Sequence, residues 1–199
     1  MPYFKVSHNG KMLANAGRAR IDVLSAHVVV GAQGLASLAV GGMRATRKRQ
    51  EHFEWISRSL HPGDQVHIAY VATGRGSKPV SRSATEVGNI HSIEEELERL
   101  ETELGEFESR AGADPAPAAP TWTRAQSPRI LRVSTSEQEA IDALLGAEEQ
   151  LRAVLNLTAR GCMLEVDAVT VLQDGSANGK RWLQQELRPG QEVRITYAN

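Results

Sequence analysis

The sequence predicts an α+β protein built from two tandem copies of a small antiparallel-sheet-plus-helix module, joined by an acidic helical connector. Three observations carry that expectation. The segment Trp55–Tyr70 (WISRSLHPGDQVHIAY) returns as Trp182–Tyr197 (WLQQELRPGQEVRITY), at a constant numbering offset of 127. Short alternating apolar runs bounded by turn residues repeat in the same order in both halves, which is the pattern of half-buried strands. Between the halves lies a glutamate-rich stretch with apolar residues at heptad spacing, the pattern of an amphipathic helix. The expected boundaries are residues 1–73 for copy 1, 74–128 for the connector and 129–199 for copy 2.

Copy 1 opens with a strand at Tyr3–Ser7. Asn9-Gly10 is a two-residue hairpin signal, and Lys11–Asn15 returns from it. Val23–Val30 alternates Leu24, Ala26, Val28 and Val30 against Ser25, His27 and Val29. Gly31–Gly34 turns the chain into a strand at Leu35–Val40. Phe53, Trp55, Ile56 and Leu60 fall near helical spacing, so a helix is expected over 48–60, stopped by Pro62-Gly63. Gln65–Val71 closes the copy. Copy 2 repeats the frame with strands at Leu151–Thr158, Leu164–Val171 and Glu192–Ala198. Ser136 and Glu139 have capping-box spacing, and Ile141, Leu144 and Leu145 continue into a short helix. A second helix is expected over Lys180–Leu187.

The connector divides into a flexible Gly/Ser/Thr/Arg-rich part (74–90), a helix (92–111) and a Pro/Ala-rich spacer (113–128). In the helix, Ile93, Leu97, Leu100, Leu104 and Phe107 form a seam flanked by Glu94, Glu96, Glu101, Glu103 and Glu108. Like charges along both flanks disfavour a parallel homodimer through it. The expected role of the seam is to dock on a module.

Composition bounds the function. The net charge is −1, so no global field favours nucleic acid or membrane. The charge is uneven: residues 1–90 hold 12 Lys/Arg against 5 Asp/Glu, while residues 91–127 hold 3 against 9. The lone Cys162 permits no internal disulfide. The opening Met1–His8 has no apolar signal core and no run is apolar enough to span a bilayer, so the chain is expected to be cytoplasmic.

Duplication also screens candidate chemistry, because each residue can be compared with its counterpart. His8, His27, His52, His61 and His67 all lie in copy 1, and copy 2 places Thr135, Val154, Gly179, Arg188 and Arg194 there. No histidine role is therefore intrinsic to the module, and no catalytic, metal or cofactor site is assigned. Cys162 lacks the base and orienting group that a nucleophile needs within its own copy. Glu165 and Asp167, two apart on a strand, are expected on one face with Arg132, Arg152 and Arg194, as an ionic lattice, a partner-binding face or an enzyme site. The matching face of copy 1 is far less charged (Lys5, Ser25, His27, Val29, Ala39, Ala69) and is expected to be covered. The candidate partner-binding residues are thus Lys5, His27, Val29, His67, Arg132, Arg152, Glu165, Asp167 and Arg194. Arg44, Arg47, Lys48 and Arg49 form the only dense basic run and are the nucleic-acid or phosphate alternative. Trp55 and Trp182, with Tyr70 and Tyr197, are expected in the core.

The segments Val6–Gly10, Val23–Val28, Leu38–Gly42, His52–Trp55 and Leu60–Val66 resemble a group of short bacterial proteins with no assigned activity. The resemblance implies a bacterial, cytoplasmic, small-module protein and supplies no functional residues. The expected function is that of a non-catalytic protein-binding protein of the adaptor, regulatory or immunity type, whose partner is unidentified.

Overall fold

In the computed structural model, residues 1–31, 34–86, 129–145, 150–171 and 177–198 are described. Copy 1 contributes β1 (Tyr3–His8), β2 (Lys11–Ala16), β3 (Val23–Val30), β4 (Ala36–Ala45), β5 (Arg49–Leu60) and β6 (Gln65–Val71). β7 (Ser81–Glu86) follows. Copy 2 contributes β8 (Arg129–Thr135), β9 (Ile141–Leu145), β10 (Gln150–Thr158), β11 (Gly161–Val171), β12 (Ala177–Leu187) and β13 (Glu192–Ala198).

The strands form two antiparallel sheets, ordered β2-β1-β6-β13-β8-β9 and β12-β11-β10-β3-β4-β5-β7. Their inward residues make one hydrophobic core: Phe4, Val6, Ile68, Leu131 and Ile195 come from the first sheet, and Leu24, Leu38, Leu151, Leu155 and Leu164 from the second. The molecule is a two-layer β-sandwich.

This corrects the α+β expectation: no helix occurs among the described residues, and neither sheet belongs to a single copy. Residues expected as helix 48–60 form β5, those expected as helix 180–187 lie in β12, and those after the Ser136/Glu139 capping box lead into the strand β9. The physical reason for the first two is a β-bulge in each copy. The β4–β5 register shifts between Val40 and Gly41, so Trp55 and Ile56 are both buried. The β11–β12 register shifts at the matching place, between Val166 and Asp167. One extra residue in a period-2 strand spaces Phe53, Ile56 and Leu60 by 3 and 4, which imitates a helical face. At Ser136, the Thr135 hydroxyl accepts the Glu137 and Gln138 amides in a turn instead. The acidic helix at 92–111 and the spacer at 113–128 lie outside the described residues. Residues 74–86, expected to be flexible, are held in place and include β7 on the free edge of β5.

The copies are joined by an internal dyad. In the β3–β10 pair, His27 faces Val154, its own counterpart, and the flanking pairs Ala26–Leu155 and Val28–Ala153 exchange under the offset. In the β6–β13 pair, His67 faces Arg194, again its counterpart, flanked by Val66–Ile195 and Ile68–Val193. The turns obey the same symmetry. The Gly63 amide donates to the Tyr197 carbonyl (2.7 Å), and the Gly190 amide donates to that of Tyr70 (2.8 Å). Gly63 and Gly190 adopt φ of 94° and 93°, a left-handed conformation that explains the Pro-Gly repeated in both copies. A single copy would leave β3 and β6 as open apolar edges, and pairing with the second copy removes both.

Candidate functional site

The outer face of the seven-stranded sheet carries a groove of about 500 Å³. Cross-strand rows build its floor. His27 faces Ala39, which faces Ser57; Ser25 faces Gly41, which faces Glu54 and then Ser81; Val23 faces Met43, which faces His52 and then Ser83. Ala39 and Gly41 keep the middle of β4 low, between His27 on β3 and His52 and Glu54 on β5. Gly42 leaves room for Ile21 beneath it, since a Cβ there would run into the end of the Ile21 side chain and lie 3.0 Å from the Val23 carbonyl oxygen.

On β10–β12 the same face is ionic. Arg152 donates from Nε and Nη2 to both Asp167 oxygens, at 2.8 and 2.7 Å. Gln184 donates to Glu165 (3.0 Å), and Arg181 lies 3.8 Å from that carboxylate. Bidentate geometry holds Arg152 in its charged form, raising its pKa. Burial first, and then the positive charge of Arg152, push the His27 imidazole below its ordinary value. His27 is therefore a neutral side chain of the groove at neutral pH. Among the described residues, no side-chain hydrogen bond links His27, His52, Glu54 and the groove serines to one another, and no three His, Cys, Asp or Glu side chains gather as metal ligands.

Several residues expected together are separated. Glu165, Asp167 and Arg152 share the outer face of the seven-stranded sheet, while Arg132 and Arg194 lie on the outer face of the six-stranded sheet. Arg132 pairs there with Asp142 at 2.7 Å. Arg194 stands opposite His67, whose Nε2 lies 2.9 Å from a Glu192 carboxylate oxygen. The five-residue Arg/Glu/Asp cluster therefore does not exist as one site. The weakly charged face of copy 1 is split in the same way: Ser25, His27, Val29 and Ala39 border or line the groove, and Lys5 and Ala69 face out from the six-stranded sheet. His27 and His67 lie on opposite faces of the sandwich.

The basic run sits at the β4–β5 hairpin. Arg44 and Arg49 approach the buried Glu51 at 3.7 and 3.8 Å, and Arg82 from β7 bonds to the same carboxylate. The Arg82 hydrogen bond, with the three positive charges, outweighs burial and holds Glu51 below the usual carboxylate range. Arg18 stacks on Phe53 at 4.5 Å. Two members of the basic run are thus engaged by Glu51, and Arg47 and Lys48 remain exposed at the hairpin tip. Cys162 is buried, and burial pushes its thiol up to about 12, which suits a core residue rather than a nucleophile.

Sequence reasoning placed Ser25, His27 and Ala39 outward but missed His52, Glu54, Ser57, Ser81 and Ser83. The signal was present in the alternation of Ser81-Arg82-Ser83-Ala84-Thr85, but Gly-rich composition upstream masked it. Comparison of the chain with family models, with curated proteins and with solved structures gives no match.

Proposed function

We propose that this protein is a non-catalytic binding protein that holds another protein on the groove of its seven-stranded sheet. The observation that carries this reading is the division of that face. On β10–β12 Arg152 pairs with Asp167, and Arg181 and Gln184 hold Glu165, while on β3–β7 the floor is mostly small and neutral, with Glu54 as the one carboxylate among its lining residues and His27 and His52 at its borders. Enclosed apolar pockets suit small ligands; an open sheet face of small residues suits the side chains of a macromolecule. The groups needed for acid–base or nucleophilic chemistry stand near one another without the mutual hydrogen bonds that would activate them.

The test is affinity capture from a lysate of the native host, with and without nuclease, using the wild type and Ala39→Arg. Ala39 is exposed, so the substitution fills the groove without entering the core. The reading expects one protein retained equally in both nuclease arms and lost with Ala39→Arg. Capture unaffected by Ala39→Arg contradicts it. A second reading, phosphate or nucleic-acid binding, draws support from the four arginines (Arg18, Arg44, Arg49 and Arg82) gathered around Glu51 and Phe53. Nuclease-sensitive capture that weakens steeply with salt favours it instead.

A further inference from the structure

Residues 74–86 close one flank of the sandwich. Gly76 packs against the Gly17 carbonyl at the end of β2, where no Cβ fits. The Ser77 amide donates to the Asn15 carbonyl at 2.7 Å, and the Trp55 indole N–H donates to the Ser77 carbonyl at 2.9 Å. The Val80 amide then reaches the Glu54 carbonyl at 2.8 Å, and β7 pairs along β5, with Arg82 placed over Phe53. One extended segment therefore bridges the edge of one sheet to the edge of the other and seals Phe53 and Trp55 beneath it.

The dyad maps this flank onto β9 and β12. The match is close: Phe4–Ala16, Lys5–Asn15 and Val6–Ala14 become Leu131–Ala143, Arg132–Asp142 and Val133–Ile141. Yet β9 and β12 end their sheets, and among the described residues no strand lies on their outer edges. Trp182, the counterpart of the buried Trp55, is half-buried, and Leu144 is 53% exposed. The chemistry of the edge has also changed sign. Glu54 and Phe53, which face the covering segment in copy 1, are replaced by Arg181 and Lys180. Lys180 holds its ammonium 4.9 Å from the Trp182 ring centre.

We propose that the β9/β12 flank is a docking edge for an extended acidic peptide of a partner protein, lying antiparallel to β12 as β7 lies on β5. Its backbone would complete the β12 ladder, and one carbonyl would accept the Trp182 indole N–H, as that of Ser77 does for Trp55. A carboxylate would occupy the position opposite Lys180 that Arg82 takes opposite Phe53. This surface is at the other end of the sheet from the groove and does not depend on the groove being occupied.

The probe is a synthetic peptide of residues 77–86 carrying Lys78→Glu and Arg82→Glu, titrated into the full chain. Hydrogen exchange of the β12 amides and the indole N–H resonance of Trp182 are the readouts. The expected result is saturable protection of the amides within 177–187 that point away from β11, and a shifted Trp182 signal. Lys180→Glu, an exposed change that leaves the fold intact, weakens binding by about tenfold or more. The unsubstituted peptide binds about tenfold more weakly than the acidic one, and Ala39→Arg leaves binding unchanged. The proposal is overturned if the β12 amides that point away from β11 are already protected in the free monomer, which would mean that the chain covers its own flank. Concentration-dependent dimerisation that protects β12 would make a second copy the occupant and likewise overturn it, as would absence of protection at saturating peptide or indifference to Lys180→Glu.

Discussion

Trp55 and Trp182 are counterparts in sequence but not in surroundings, and their substitution by alanine separates the two copies energetically. Trp55 is 3% exposed and its indole N–H donates to the Ser77 carbonyl at 2.9 Å. A tryptophan buries on the order of 200 Å², which at about 25 cal/mol per Å² amounts to roughly 5 kcal/mol. Measured costs of Trp-to-Ala changes in cores are about 3–5 kcal/mol, and the orphaned Ser77 carbonyl adds about 1 kcal/mol. Trp55→Ala should therefore cost about 4–6 kcal/mol. Trp182 keeps part of its ring in water under Lys180, so Trp182→Ala removes less buried area and costs about 2 kcal/mol. The assay is guanidinium unfolding followed by far-ultraviolet circular dichroism, which does not depend on the tryptophans. Trp55→Phe serves as the milder variant if Trp55→Ala does not fold. Equal costs at the two positions, or a larger cost at Trp182, would refute the claim that residues 74–86 close only the copy 1 flank.

Two further predictions follow from the same geometry. Burial alone would raise Asp64, but the His61 amide, the Asn9 side-chain amide and His8 together hold its carboxyl at about 2, below the ordinary 3.8. Its folded pKa is depressed, so its stabilisation is full above 3.8 and is lost as pH falls toward 2. Asp64→Asn should cost about 2 kcal/mol near neutral pH and almost nothing at the acid end of that window; a cost independent of pH would count against the depressed carboxyl. Cys162, buried and pushed up to about 12, should resist a thiol reagent in mildly alkaline buffer until denaturant is added. Rapid labelling of the native protein would show that the β11 side of the core is open.

The duplication, the turn at Pro62-Gly63 and its repeat, and nearly every strand other than β5, β7, β9 and β12 were legible in the chain, because turn chemistry and period-2 alternation are local signals. The helices expected at 48–60 and 180–187 failed for one local reason, the bulge that sets Trp55 beside Ile56 and Trp182 beside Leu183 on the same side of the strand. Membership of the sheets was not legible. Alternation says that Arg152 and Arg194 face away from a core, but not that β10 and β13 belong to different layers, which is decided by pairing across the dyad. The candidate site was lost by the same route. Alternation points Ser25, His27 and Ala39 outward, but helical spacing around His52 and Glu54 and linker-like composition around Ser81 and Ser83 hide their neighbours.

The central claim is that the two copies pair with each other across a dyad through His27 and Val154 to make one sandwich. The most direct measurement is a cross-link at that point. In a Cys162→Ala background, His27→Cys with Val154→Cys places two thiols on directly opposed positions of the antiparallel β3–β10 pair. Opposed residues in such pairs have Cα atoms about 4.5–5.5 Å apart, within the span of a disulfide. Mild oxidation should close the bond within a single chain, seen by intact mass and by faster migration on a non-reducing gel. His27→Cys with Glu165→Cys, separated by the whole of β10, should stay reduced. A pair at 27 and 154 that remains reduced, or that links only separate molecules, would contradict the dyad and return the copies to independent modules.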